Sequence, residues 1–96
     1  MRILVVEDST PTRELLARSL EASGFEVTFA SRVATGRRHV EDGSFDVILL
    51  DIMLPDGSGL ELCRELRAHG VVTPILFLTA RGDVEDRIAG LDAGGD

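Results

Sequence analysis

Lysine is absent from these 96 residues, and all ten basic side chains are arginine. Chemistry that needs a compact ammonium on a flexible stem has no donor here, because arginine is not an equivalent point charge in a tight site. Cysteine is nearly absent too, and the single Cys63 excludes an internal disulfide. No apolar run approaches the roughly 20 residues of a membrane span. Residues 1–15 also lack the basic start and small-residue cleavage site of a secretory signal. No membrane partner is expected, and the expected location is cytoplasmic. Positive charge is scarce, with ten basic against seventeen acidic residues and a formal charge of −7. That balance argues against direct nucleic-acid contact by this chain, since phosphate contacts need clustered positive charge. What remains is 44% hydrophobic and 28% charged, enough for one small domain with a modest core.

Short apolar runs alternate with helical patterns along the whole chain, the signature of stacked βα units in an α/β fold. Ile3 to Val6 form the expected first strand. Thr10-Pro11 opens a helix through a capping hydroxyl and a proline at the first helical position; its apolar stripe includes Leu15, Leu16 and Leu20, and Gly24 ends it. Phe25 to Phe29 alternate with Glu26 and Thr28 as a half-exposed edge strand. The second helix, from about Val33 to Asp42, contains Gly36 at a cost of roughly 1 kcal/mol relative to alanine. The stretch "FDVILLDIMLPDGSG", residues 45–59, supplies the third strand. A third helix follows with Leu62, Cys63 and Leu66 on one face. "PILFL", residues 74–78, is the fourth strand, and Asp83 caps a fourth helix carrying Val84, Ile88 and Leu91 before Gly94 and Gly95.

Parallel strands joined by right-handed crossovers collect their C-terminal ends on one edge of the sheet. Polar residues just after strands therefore meet there: Glu7 and Asp8 after the first, Asp51 at the end of the third, Thr79 after the fourth. An open α/β sheet places its site at that edge. Carboxylates gathered so closely repel by roughly 3 kcal/mol per pair at about 5 Å and an effective dielectric near 20. Either some hold protons or a cation sits among them. Mg²⁺ suits an all-oxygen site. One carboxylate left as nucleophile can attack a phosphoryl group while the metal neutralises its oxygens, with the Thr79 hydroxyl as a further donor.

"ILVVEDS", "DVILLDIMLPDGSGLEL" and "PILFLTARGDVEDRIAGLDAGGD" together resemble the receiver domain of two-component response regulators, in order and at family-like spacing over essentially the whole chain. The resemblance implies a doubly wound, flavodoxin-like parallel sheet of strand order 2-1-3-4. It implies that Asp51 is the phosphoacceptor for a sensor histidine kinase and Thr79 the switch hydroxyl. Mg²⁺ would be held by Asp8 directly, by Glu7 through water, by Asp51 and by the backbone carbonyl of Met53. The last segment, with Arg87 and Gly90, looks most like regulators that carry a winged-helix DNA-binding domain. Residues 1–96 depart from the family pattern after "GGD", before its fifth strand, lysine-proline pair, aromatic switch residue and fifth helix. The expected fold therefore lacks the fifth strand and helix. Complete receivers catalyse their own phosphotransfer; without the family lysine, this chain is not expected to act as an enzyme.

Blander readings stand beside these. Cys63 reads as a small core residue, His39 and His69 as surface residues, Arg81 as solvated, and Arg87 as solvated or part of a dimer face. Pro55, Gly57 and Gly59 read as turn chemistry on the rim of the site. A phosphohydrolase with an aspartate nucleophile is disfavoured, because Met53 stands where a second acid is needed. The competing reading is an incomplete, phosphorylation-deficient module that acts only through structure or protein contacts. With the fourth strand uncovered, the chain is expected to associate as a homodimer or swapped pair through that strand and the fourth helix.

Overall fold

The structure, a computed structural model, describes residues 1–78. The elements run β1 (Arg2–Val6), α1 (Thr10–Ala22), β2 (Glu26–Ala30), α2 (Val33–Asp42), β3 (Val47–Asp51), β4 (Met53–Leu54), β5 (Gly57–Ser58), α3 (Gly59–Ala68) and β6 (Ile75–Leu78). The main sheet is parallel in the order β2-β1-β3-β6. That is the expected order, with β6 as the fourth long strand. The pair β4 and β5 is a small antiparallel hairpin inside the turn after Asp51. Thr79, Arg81, Arg87 and the helix expected from Asp83 lie outside the described residues.

Period-two alternation sorts the strand residues onto two faces. Leu4, Val6, Ile48, Leu50, Ile75 and Phe77 join Val33, Leu62, Cys63 and Leu66 of α2 and α3 in one core cluster. Ile3, Val5 and Leu49 face the other way, under Leu16 and Leu20 of α1 and against Phe25, Val27 and Phe29. The four-residue apolar run Val47 to Leu50 is thus a central strand covered on both sides, with Leu49 and Leu50 both buried. On β6, Ile75 and Phe77 are buried, so the expected apolar exposure of that strand narrows to Leu76 at 46%.

The start of α1 differs from expectation. Ser9, not Thr10, is the cap, and its hydroxyl accepts from Thr12 N at 3.5 Å. Ser9 is held extended just before the helix, which frees its hydroxyl to turn back. Leu15 is 66% exposed rather than part of the stripe; Leu16 and Leu20, one turn apart, cover the sheet without it. Gly24 ends the helix as expected, with φ at +87°, a conformation glycine adopts without penalty. His39 is half-buried and His69 exposed.

Helix α2 crosses so close to β1 that a side chain at its middle would crowd the strand. A Cβ on Gly36 would meet the methyls of the fully buried Val6 at 3.0 and 3.3 Å. The weak helix former is therefore a packing residue. Arg37 and Glu65 tie α2 to α3 through a bidentate pair, with Nη2 to Oε1 at 3.0 Å. Arg67 shapes the entry to β6, its Nη1 donating to the carbonyls of Val71 and Thr73 at 3.0 and 2.8 Å. No helix among the described residues is long and apolar enough to cross a membrane.

Gly36→Ala is a test of that crossing. Helix propensity favours alanine by roughly 1 kcal/mol, but overpacking a buried site costs about 1–3 kcal/mol. Urea denaturation should show a net loss of stability; a gain would mean that Val6 yields freely.

Candidate functional site

Register brings the acidic residues together. The last register pair between β1 and β3 is Val6 with Leu50, so one further step sets Glu7 level with Asp51. On its other side β1 stays paired with β2 as far as Glu7, whose N donates to Ala30 O at 2.9 Å. Alternation places Glu7 on the side of Val5 and Asp51 on the side of Leu49, the face covered by α1. Asp8 follows and is exposed. Each of Glu7, Asp8 and Asp51 offers a carboxylate oxygen, and the three oxygens lie within 4.8 Å of one another.

Glu7 is only 5% exposed. Burial pushes its carboxyl up to about 7, the neighbouring Asp51 and Asp8 carboxylates push the same way, and the Ser9 amide opposes them. That amide donates to Glu7 Oε1 at 2.9 Å. A proton shared within the cluster is the metal-free solution to its crowding; a cation is the other. The donor set fits Mg²⁺, a hard ion that takes oxygen ligands at 2.0–2.1 Å and keeps several waters. The three carboxylate oxygens, within 4.8 Å of one another, make an all-oxygen cluster of the kind such an ion takes.

The chain leaves the site through a tightly bound loop. Met53 N donates to Asp51 Oδ1 at 3.4 Å, and Gly59 N donates to Ile52 O at 2.7 Å. Leu54 is buried in the core beneath. A Cβ on Gly59 would run into the Asp51 carbonyl, at 3.0 Å from its carbon, and reach Leu50 Cγ at 3.1 Å. Only glycine lets α3 start against the end of β3. At the loop's tip, Asp56 accepts from Val33 N at 2.7 Å and Ala34 N at 3.1 Å. The Val33 amide is the main reason that the Asp56 carboxyl lies below its usual range.

Of the residues expected at the site, Glu7, Asp8 and Asp51 come together. Met53 is adjacent, its side chain 79% exposed and its amide turned to Asp51. Thr79 falls outside the described residues. Sequence reasoning missed the reach of Asp56 to α2 and the contact at Gly59. The absence of a capping side chain before Val33, where Arg32 stands, was the available signal for the first.

Residues 3–96 match the family model described as response regulator receiver domain. The transcriptional regulatory protein TcrA of Mycobacterium tuberculosis is 50% identical over 99 residues, with 100% of this chain and 38% of that protein covered. Response regulator MprA of Mycobacterium avium is 47% identical over 96 residues, with 100% and 42% covered. The chain thus spans about two fifths of the length of these relatives. Among solved structures, the receiver domain of Francisella response regulator 1452 aligns with a TM-score of 0.86 at 28% identity, covering 99% of this chain and 78% of that one. Response regulator protein TrrA of Thermotoga maritima, in complex with Mg²⁺ and BeF, aligns at 0.83 with 34% identity, covering 99% and 81%.

The raised Glu7 carboxyl makes stability depend on pH. Between about 4.5, its ordinary value, and about 7, the folded chain holds a proton that the unfolded chain has lost. Stability therefore falls as pH rises through that window. Asp56 and Glu65 lie below their ordinary values of 3.8 and 4.5, so their contributions are lost only on acidification beneath it. Thermal melting with a chelator present should show a falling midpoint from about pH 4.5 to about pH 7. Glu7→Gln should flatten the fall, and an unchanged slope would remove Glu7 as its source.

Proposed function

Because the chain belongs to the response regulator receiver domain family, we propose that Asp51 is its phosphoacceptor and that a sensor histidine kinase is its phosphoryl donor. An acceptor aspartate and bound Mg²⁺ are general features of this family. The observation that carries the assignment is the convergence of the Glu7, Asp8 and Asp51 carboxylate oxygens within 4.8 Å. Asp51 is the member that ends a central strand, half-buried, with its Oδ1 held by the Met53 amide.

In the proposed transfer an Asp51 carboxylate oxygen forms a bond to phosphorus as the bond from phosphorus to the kinase histidine nitrogen breaks. The imidazole leaves with the electron pair, and the product is an aspartyl phosphate. Asp8 and Asp51 would hold Mg²⁺ directly, Glu7 through water, and the Met53 backbone carbonyl would be the remaining protein ligand. When bound, the ion supplies positive charge against the phosphoryl oxygens. The Thr79 hydroxyl is proposed as the donor that follows the new phosphoryl group. A purely structural module gives no reason to bury Glu7 beside two further carboxylates.

The names of the two relatives, a transcriptional regulatory protein and a response regulator, support control of transcription as the output of the whole protein. A cytoplasmic location goes with that reading. Leu76, 46% exposed on β6, supports a second copy of the chain as a further partner along that strand.

Mg²⁺ should raise the melting temperature, since a ligand at 100 times its dissociation constant adds about 2.7 kcal/mol. Asp8→Ala should abolish the shift. Acetyl phosphate with Mg²⁺ should label Asp51 only slowly, since these 96 residues contain no lysine to pair with the phosphoryl group, and mass spectrometry should find no aspartyl phosphate in Asp51→Asn. Persistence of either signal in its variant would refute the site.

A further inference from the structure

The loop between β3 and α3 is fixed at its base by Gly59 and Leu54, but its tip has a separate anchor on another element. Helix α2 begins without a cap of its own, because Arg32 makes no side-chain bond to the first turn and that turn contains no acidic residue. Its first amides, Val33 N and Ala34 N, are instead taken by the Asp56 carboxylate, 23 and 22 residues away in sequence. A negative group at a helix N-terminus is favoured both by those unsatisfied donors and by the helix dipole. The bond is reciprocal: it finishes α2, and it pins the hairpin of β4 and β5. Gly57 lies against the same place, with a Cβ direction that meets Val33 Cγ2 at 3.5 Å.

We infer that Asp56 is a positioning residue for the Mg²⁺ and phosphoacceptor site, acting through Met53. Resting on the reading given above, the chain of contact runs from α2 to Asp56, through the short β4–β5 pair, to Met53, whose amide bonds Asp51. Without the anchor at the tip, the hairpin is free to turn about Leu54 and carry the Met53 backbone away from Asp51. Outer-shell partners of this kind orient the groups that touch a metal, and losing one typically lowers metal affinity by 10–100-fold.

Calorimetric titration of the folded protein with Mg²⁺ tests this, well below the melting temperature of every variant. Asp56→Ala should weaken Mg²⁺ binding by about tenfold, and Asp56→Asn, which keeps a carbonyl acceptor for one amide, should recover part of the loss. Val40→Ala loosens α2 from its far end, where Val40 packs on the core, and should leave Mg²⁺ affinity unchanged. The Met53 amide resonance should move in Asp56→Ala before any metal is added and stay in place in Val40→Ala. Unaltered Mg²⁺ affinity in Asp56→Ala, with Asp8→Ala still abolishing binding, would overturn the role of Asp56 and leave the site intact. Equal losses in Asp56→Ala and Val40→Ala would also overturn it, as general loosening of α2. Absence of Mg²⁺ binding by the unmodified protein, or binding that survives Asp8→Ala, would overturn the site reading and this inference with it.

Discussion

Like charges forced together at the end of a parallel sheet are the constraint around which this molecule is arranged. Two carboxylates level with each other on adjacent strands, with a third beside them, repel by roughly 3 kcal/mol per pair at such separations. The fold does not relieve this by turning one away. It buries Glu7, satisfies one of its oxygens with the Ser9 amide and holds Asp51 against the Met53 amide. The remaining imbalance is left for a proton or a cation. Both central strands are locked by buried residues on two faces, and that rigidity keeps the groups from drifting apart.

Much of this was legible in the residues themselves. The unbroken run Val47 to Leu50, ending in Asp51, read as a covered strand delivering a polar group to its edge. The acidic pair after Val6 had to meet it once the strands were parallel. Spacing also marked α1 and α2, whose observed spans differ little from expectation. What escaped were contacts between residues distant in sequence. Gly36 looked like a weak point in a helix until Val6 was seen beneath it. Gly59 read as ordinary turn chemistry, although its lack of a side chain is what lets α3 meet the Asp51 carbonyl. Asp56 sat in a Pro-Asp-Gly sequence that fully explains a turn, so nothing local hinted that its carboxylate serves another helix.

The same distinction explains the misplaced surface of α1. Leu15, Leu16 and Leu20 are equally apolar, and composition gives no preference among them. The direction of the helix against β1 and β2 decides that Leu16 and Leu20 cover the sheet while Leu15 faces out. Patterning determines that a face exists; crossing geometry determines where it is centred.

Cys63 has a consequence beyond its place in the core. It is the one cysteine of the chain and is fully buried on α3, where a thiol is inert until the structure opens. Its rate of reaction with a thiol reagent therefore clocks the lifting of α3 from the sheet, an event of local opening with its own free energy. That helix begins at Gly59, in contact with the Asp51 carbonyl. The unmodified protein thus carries an internal chemical clock for the release of the helix that starts at the end of β3.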